Sequence, residues 1–110
     1  MSTHPGLLFG YNTNGLAHHR LDDALRILSD LGYGSVAITL DYHALDPCAA
    51  DRARQVIAVQ QSLQHLGLRS VIETGARFLL DPWHKHQPTL ISPEPGGRNV
   101  RSMFLSLIHI

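Results

Sequence analysis

The chain has 110 residues, 44% of them hydrophobic, enough for one small globular core and too apolar a composition for disorder. Its nine basic and nine acidic residues cancel, so no surplus positive charge exists to neutralise nucleic-acid phosphates or anionic lipid, and both kinds of partner are disfavoured. The single cysteine, Cys48, cannot make an internal disulfide, and the opening MSTHPGLLFGYN has neither a cationic leader nor an apolar run long enough for a signal or membrane segment; a soluble protein of the reducing cytoplasm is expected.

In chain order, LLFGY (Leu7 to Tyr11) is a short apolar and aromatic run ended by a TNG turn, which predicts a buried strand. RLDDALRILSDLG then places Leu21, Ala24, Leu25, Leu28 and Leu31 at helical spacing. Asp22 and Asp23 sit in the first turn, where the helix dipole favours anions, and Gly32 is the stop. SVAITL (Ser35 to Leu40) is apolar on both faces, as a parallel strand covered on both sides requires. Beyond Pro47 a second helical pattern runs through Ala53, Val56, Ile57, Leu63 and Leu66 to Gly67, and SVIET (Ser70 to Thr74) predicts a third strand.

The junctions LGYGSV (Leu31 to Val36) and LGLRSV (Leu66 to Val71) echo each other 35 residues apart, the length of one strand plus one helix in a parallel α/β fold. Past Gly75 the regularity stops. Pro82, Pro88, Pro93, Pro95, Gly96 and Gly97 are expected to exclude a long helix or a central strand, leaving a long irregular loop from about Ala76 to Arg101. Three parallel strands also leave open edges and uncovered faces, so the fold looks unfinished. The last six residues, LSLIHI, are identical to the translated transposon-end adapter used in sequencing libraries. Residues 105–110 are therefore expected to be a non-native tail on an N-terminal domain of residues 1–104, with the natural protein continuing past about Met103.

GYNTNG, LDDALRILSDLGYGSVAITLD, LGLRSVIETGARFLLDPWHKHQPTLISPEPGGR and the phase of the repeat together resemble the N-terminal part of the xylose-isomerase-like TIM barrels, which include sugar phosphate isomerases and epimerases. The resemblance covers nearly all of residues 6–103, and the RFLLDP, KH, PTL and SP pattern of the loop is its more distinctive part. It implies an α/β fold made of the first three βα units of a (β/α)8 barrel, truncated, since a complete barrel needs about 250 residues. It also implies metal-assisted proton transfer next to the carbonyl of a sugar or sugar phosphate. The divalent metal, which stabilises the enediolate, would be held by carboxylates and a histidine on later strands, so this chain is expected to bind no metal well and to be inactive alone.

Barrel active sites lie at the C-terminal ends of the strands. That rule nominates Asn12 and Asn14 after the first strand, Asp41 and His43 after the second, and Glu73 and Arg77 after the third. Each has a structural alternative: Asn12 to Gly15 make a good turn without a ligand, and Glu73 could pair with Arg77 four residues on. His43 and Asp46 have the spacing of a His–Asp pair that acts on the sugar ring in some xylose isomerases, with His43 the catalytic candidate. Asp46 before Pro47 also has the chemistry of a helix cap. In the loop, Lys85 and His86 are candidate contacts to an anionic substrate group. His84 with His86 has HxH spacing but no evident third metal ligand, and Trp83 is either an apolar wall for a sugar or an anchor of the loop. His18 and His19 are expected to be solvated, and His65 falls in the last turn of the second helix, where the dipole mildly favours a cation. The alternatives to an isomerase are a metal-dependent endonuclease of abasic DNA on a related barrel, which the neutral charge argues against, and a small non-enzymatic α/β interaction module.

Overall fold

A computed structural model of the chain describes residues 6–106. Its centre is a parallel sheet of three strands, β1 (Gly10–Asn12), β2 (Ser35–Thr39) and β3 (Arg69–Glu73), in the order β1-β2-β3. The helices α1 (Leu21–Asp30) and α2 (Arg52–Leu66) form the two connections, and a third helix, α3 (Pro95–Ser106), follows β3. Parallel strands need such crossovers, and the predicted strand, helix, strand, helix, strand order is the one observed.

Alternation along the strands gives the sheet two unlike faces. Val36 and Ile38 of β2 are fully buried and pack with Leu25 and Leu28 of α1 and Val59 and Leu63 of α2. The opposite face carries Asn12, Ala37 and Val71 in one row and Thr39 and Glu73 in the next. There the covering is thin, and Val71 is 63% exposed. The expected burial of the first strand is corrected in the same way: Leu7, Leu8 and Phe9 precede β1 and are exposed, because β1 is an edge strand with no layer over it. Phe9 is nevertheless fixed by its carbonyl, which accepts from the amides of Gly34 and Ser35. A side chain at Gly10 would run into the Ser35 hydroxyl, so glycine allows β1 to approach β2.

The repeated junctions end both helices in the same way. Gly32 (φ 92°) and Gly67 (φ 66°) take left-handed conformations, and the next residues, Tyr33 and Leu68, donate back to Leu28 and Leu63 in Schellman fashion. The strands that follow are not in phase with the echo. Sequence aligns Val36 with Val71, whereas the sheet pairs Val36 with Ser70 and Ala37 with Val71. This stagger of one residue puts the two equivalent valines on opposite faces, one fully buried and one exposed.

Two sequence expectations are overturned. Asp46 does not cap the second helix: its Oδ1 accepts from the Cys48 amide at 2.9 Å and its carbonyl from Ala49, closing a turn, while α2 begins only at Arg52. The segment after Gly75 is not all loop, since α3 starts at the Pro95, Gly96, Gly97 run that had argued against a helix. A proline at the first helical position lacks only an amide that would have no intrahelical partner, and the Arg98 amide reaches the Glu94 carbonyl to start the ladder. The Arg98 guanidinium also bonds the carbonyls of Ser92 and Pro93, securing the chain that enters the helix. Of LSLIHI, Leu105 and Ser106 belong to α3, and residues 107–110 lie outside the described residues. Among the described residues no helix is long and apolar enough to cross a membrane.

Phe104, 2% exposed, joins α3 to the core. Phe104→Ala should cost about 3 kcal/mol or more by cavity formation and undock α3, measured as a lower urea midpoint with loss of helical circular dichroism.

Candidate functional site

The C-terminal edge of the sheet gathers most of the nominated residues, in two adjoining groups. The first is centred on Thr39, a fully buried residue at the end of β2. Its amide donates to Thr13 Oγ1 at 3.1 Å. Its hydroxyl lies 3.1 Å from Asn12 Oδ1, 3.1 Å from Asn14 Oδ1 and 3.4 Å from Glu73 Oε2. A hydroxyl has one proton to donate, so these oxygens outnumber what it can satisfy. Asn12 makes the turn expected of it: the same Oδ1 also accepts from the Asn14 amide at 2.8 Å and caps the 3₁₀ turn Thr13–Leu16. Glu73 Oε1 accepts from the Gly75 amide at 2.8 Å. Glu73 Oε2 is left to compete with Asn12 and Asn14 for the Thr39 hydroxyl proton.

The second group is centred on Asp41, which is 8% exposed. Its Oδ1 accepts from the Tyr42 amide at 2.8 Å, while Oδ2 lies 3.5 Å from Arg77 Nε and 3.9 Å from His43 Nδ1. Two expected pairings are thereby corrected. Arg77 meets Asp41 rather than Glu73, and His43 faces Asp41, two residues before it, rather than Asp46, which the turn at Cys48 occupies. His43 Nε2 is buried without a hydrogen-bond partner. Nδ1 lies on the Asp41 side of the ring, beyond hydrogen-bond distance.

Arg77 is held by the loop that follows. Its amide donates to His86 Nδ1 at 2.9 Å, the His86 amide donates back to the Arg77 carbonyl, and both residues take positive φ, 45° and 65°. Such backbone costs roughly 1 kcal/mol or more for each residue that is not glycine. Gly75 makes room for this arrangement: a Cβ there would lie 2.7 Å from Glu73 Oε1 and 3.1 Å from His86 Cε1. The loop is pinned from α3 by Arg101, whose guanidinium donates to the carbonyls of His86 at 2.8 Å, Pro88 at 3.1 Å and Thr74 at 2.7 Å. Partial burial draws the Arg101 pKa below its ordinary value, and the Glu73 carboxylate pulls it back up.

The other candidates stand apart. Lys85 is exposed and makes no hydrogen bond or ion pair. Trp83 is 82% exposed, which corrects its reading as a core anchor. At the loop's tip, Asp81 Oδ1 accepts from the amides of Trp83 and His84, and its Oδ2 lies 2.9 Å from His84 Nδ1. The Trp83 amide first, and the His84 side chain next, hold the Asp81 carboxyl below its ordinary value. His18 and His19 are exposed as expected, and His65 is exposed too. Burial first, and Asp46 second, push the Cys48 thiol up, away from nucleophilic use. Among the described residues no three His, Cys, Asp or Glu side chains are grouped to hold a metal ion, so the residues present do not by themselves fit a metal centre. A cleft of about 180 Å³ between α1 and α2 is walled mainly by apolar side chains, among them Leu21, Leu25, Leu45 and Val59, with Asp22, Gln55 and Ser62 also lining it, and contains none of the nominated residues.

Comparison with family models, with curated proteins and with solved structures finds no match to this chain. The chemistry rests on the residues themselves: a cluster of acceptors at Asn12, Asn14 and Glu73 beside a carboxylate-backed imidazole and an arginine. Sequence reading missed Thr39 and Arg101. The first was hidden because a threonine in a β-branched run looks like any strand residue, the second because its segment was assigned to loop.

Thr39→Val keeps the shape and removes the hydroxyl, leaving oxygens in the cluster unpaired. It should lower stability by about 1–3 kcal/mol while Thr39→Ser loses far less, as read by urea unfolding. The Asp81 turn should persist above the ordinary carboxylate range and weaken as pH falls through its lowered pKa, because protonation removes the acceptor. Acid titration of Trp83 fluorescence checks this, and Asp81→Asn should remove the transition.

Proposed function

We propose that this chain is the opening part of a xylose-isomerase-like (β/α)8 barrel that moves a proton next to the carbonyl of a sugar or sugar phosphate. The observation that carries the reading is the stagger of one residue between the 35-residue echo and the β2–β3 register. A barrel of eight strands with a shear of eight advances by one residue per strand, and its interior layers draw on alternate strands. Equivalent valines on opposite faces of neighbouring strands are what that geometry produces. Polar groups gathered at the C-terminal ends of all three strands agree with where such barrels keep their chemistry.

In this reading His43 is the proton-transferring base. Asp41 Oδ2 lies on the Nδ1 side of the ring, and Nε2, without a protein partner, takes or returns the proton. Asn12, Asn14 and Glu73 receive sugar hydroxyls. Arg77, anchored through Nε, presents its remaining N–H groups to an oxyanion or a substrate phosphate, with Lys85 and the Nε2–H of His86 as further donors. The divalent metal implied by the resemblance would rely on ligands beyond those in this chain.

The competing reading is the abasic-DNA endonuclease, and one pair of titrations separates the two. With ¹⁵N-labelled chain, ketoses and ketose phosphates should shift the amide signals of Asn12, Asn14 and His43, and these shifts should vanish in Asn12→Ala. Oligonucleotides with an abasic site should bind no better than the neutral charge balance allows. Salt-dependent binding of the abasic DNA without any response to sugars would reverse the assignment.

A further inference from the structure

Arg77 and His86, nine residues apart, close a loop at its base through two reciprocal hydrogen bonds. The Arg77 amide donates to His86 Nδ1, and the His86 amide donates to the Arg77 carbonyl. The first bond fixes the state of the imidazole. A ring nitrogen that accepts from an N–H carries no proton, so the ring is neutral with its hydrogen on Nε2. A protonated imidazole has hydrogen on both nitrogens. Its Nδ1–H would then point at the Arg77 N–H, donor against donor, and the contact could not survive.

Several charged groups surround His86. Arg101 bonds the His86 carbonyl with its guanidinium, Lys85 is the preceding residue, and Arg77 is the bonded partner. Glu73 lies across Gly75, and Asp41 faces Arg77. Both Arg77 and His86 also hold left-handed backbone, a conformation that relaxes once the bonds that impose it are gone. What the loop base holds in place is the cation of the site: Arg77 Nε faces Asp41 Oδ2, the same oxygen that faces His43 Nδ1. A protonated His43 would draw on that oxygen in competition with Arg77, and so acts in the same direction as protonation of His86. At the tip of the loop the sign is reversed, because the contact of His84 with Asp81 is strongest when His84 is charged.

We infer that His86 is a proton-operated latch: the neutral ring locks the base of the 77–86 loop and holds Arg77 against Asp41, and protonation unlocks it. The latch is closed on the alkaline side of the ring's titration. Below it, the closed fraction falls about tenfold for each pH unit. Because the argument concerns only the loop, it stands whether or not the site acts on sugars.

The test is a pH titration of the ¹⁵N-labelled full chain from about pH 8 to pH 5, the span over which imidazoles titrate. At the alkaline end, long-range ¹⁵N–¹H spectra should show His86 with an unprotonated Nδ1 and a hydrogen on Nε2. With His43→Gln removing the competing imidazole, the Arg77 amide signal should move with the His86 ring in one single-proton curve. In that background His86→Asn supplies an amide oxygen that can accept the same bond without titrating, so the Arg77 signal should stay fixed through this range. His84→Gln should leave the Arg77 transition unchanged. A wild-type His86 ring protonated on Nδ1 at pH 8 would overturn the latch, and so would an Arg77 amide that titrates in the double variant as it does in His43→Gln. The tautomer measurement needs no variant, so it decides the matter even if His86→Asn does not fold.

Discussion

The hydrogen-bonded pairing of β2 with both of its neighbours is the constraint on which the remainder depends. Its apolar residues Val36 and Ile38 are fully buried against α1 and α2, which fixes which way the strand faces. Because side chains alternate, that burial sends Thr39 to the other face, at the end of the strand and beside the ends of β1 and β3. A shift of one residue in register would exchange the faces and bury the threonine's cluster among leucines. The site is therefore a by-product of apolar burial elsewhere: the same area that stabilises the sheet places three polar groups within reach of one hydroxyl.

The loop after β3 solves a different problem. It carries Arg77 to Asp41 across backbone that is not intrinsically favourable, so it must be fastened from outside itself. Arg101 does this by satisfying three carbonyls from both ends of the loop at once, and Phe104, three residues on, anchors the helix that holds Arg101, with the guanidinium 5.2 Å from the centre of its ring. Packing of α3 and geometry of the site are thus coupled. A substitution in α3 that touches no nominated residue still changes where Arg77 sits.

What could be read in the sequence follows from the range of the interactions involved. The two helices, the second and third strands and both glycine stops are local signals, set by periodicity and by left-handed backbone at Gly32 and Gly67, and they were legible within a residue or two for the strands and α1. The start of α2 was not, because Asp46 and Pro47 suit a turn as well as a cap, and only the fold decides between them. That residues after the strands lie near one another was legible, since topology brings strand ends together. Their pairings were not, because Asp41 with Arg77 and Thr39 with Glu73 depend on register and on a loop path that no local pattern encodes. For α3, the helix-breaking residues were correctly recognised and wrongly weighed: Pro95 breaks a helix only from within.

The face opposite the helices bears on what the sheet is built to meet. Its rows, Gly10, Ser35 and Arg69, then Asn12, Ala37 and Val71, then Thr39 and Glu73, are too polar for the core of a second layer and too sparse in charge for an ordinary solvated surface. The radius of gyration, 15.1 Å, exceeds the roughly 13 Å of a closed domain of this size, in keeping with a sheet that does not curl back on itself. Small residues on β1 and β2 beside larger ones on β3 are the pattern by which side chains from several strands share a narrow interior. In a barrel the polar row at the C-terminal end would form the floor of the mouth and the apolar row beneath it would be sealed by strands from the opposite side. Polar side chains at the end of this face and small ones beneath them are the arrangement that the proposed barrel would need.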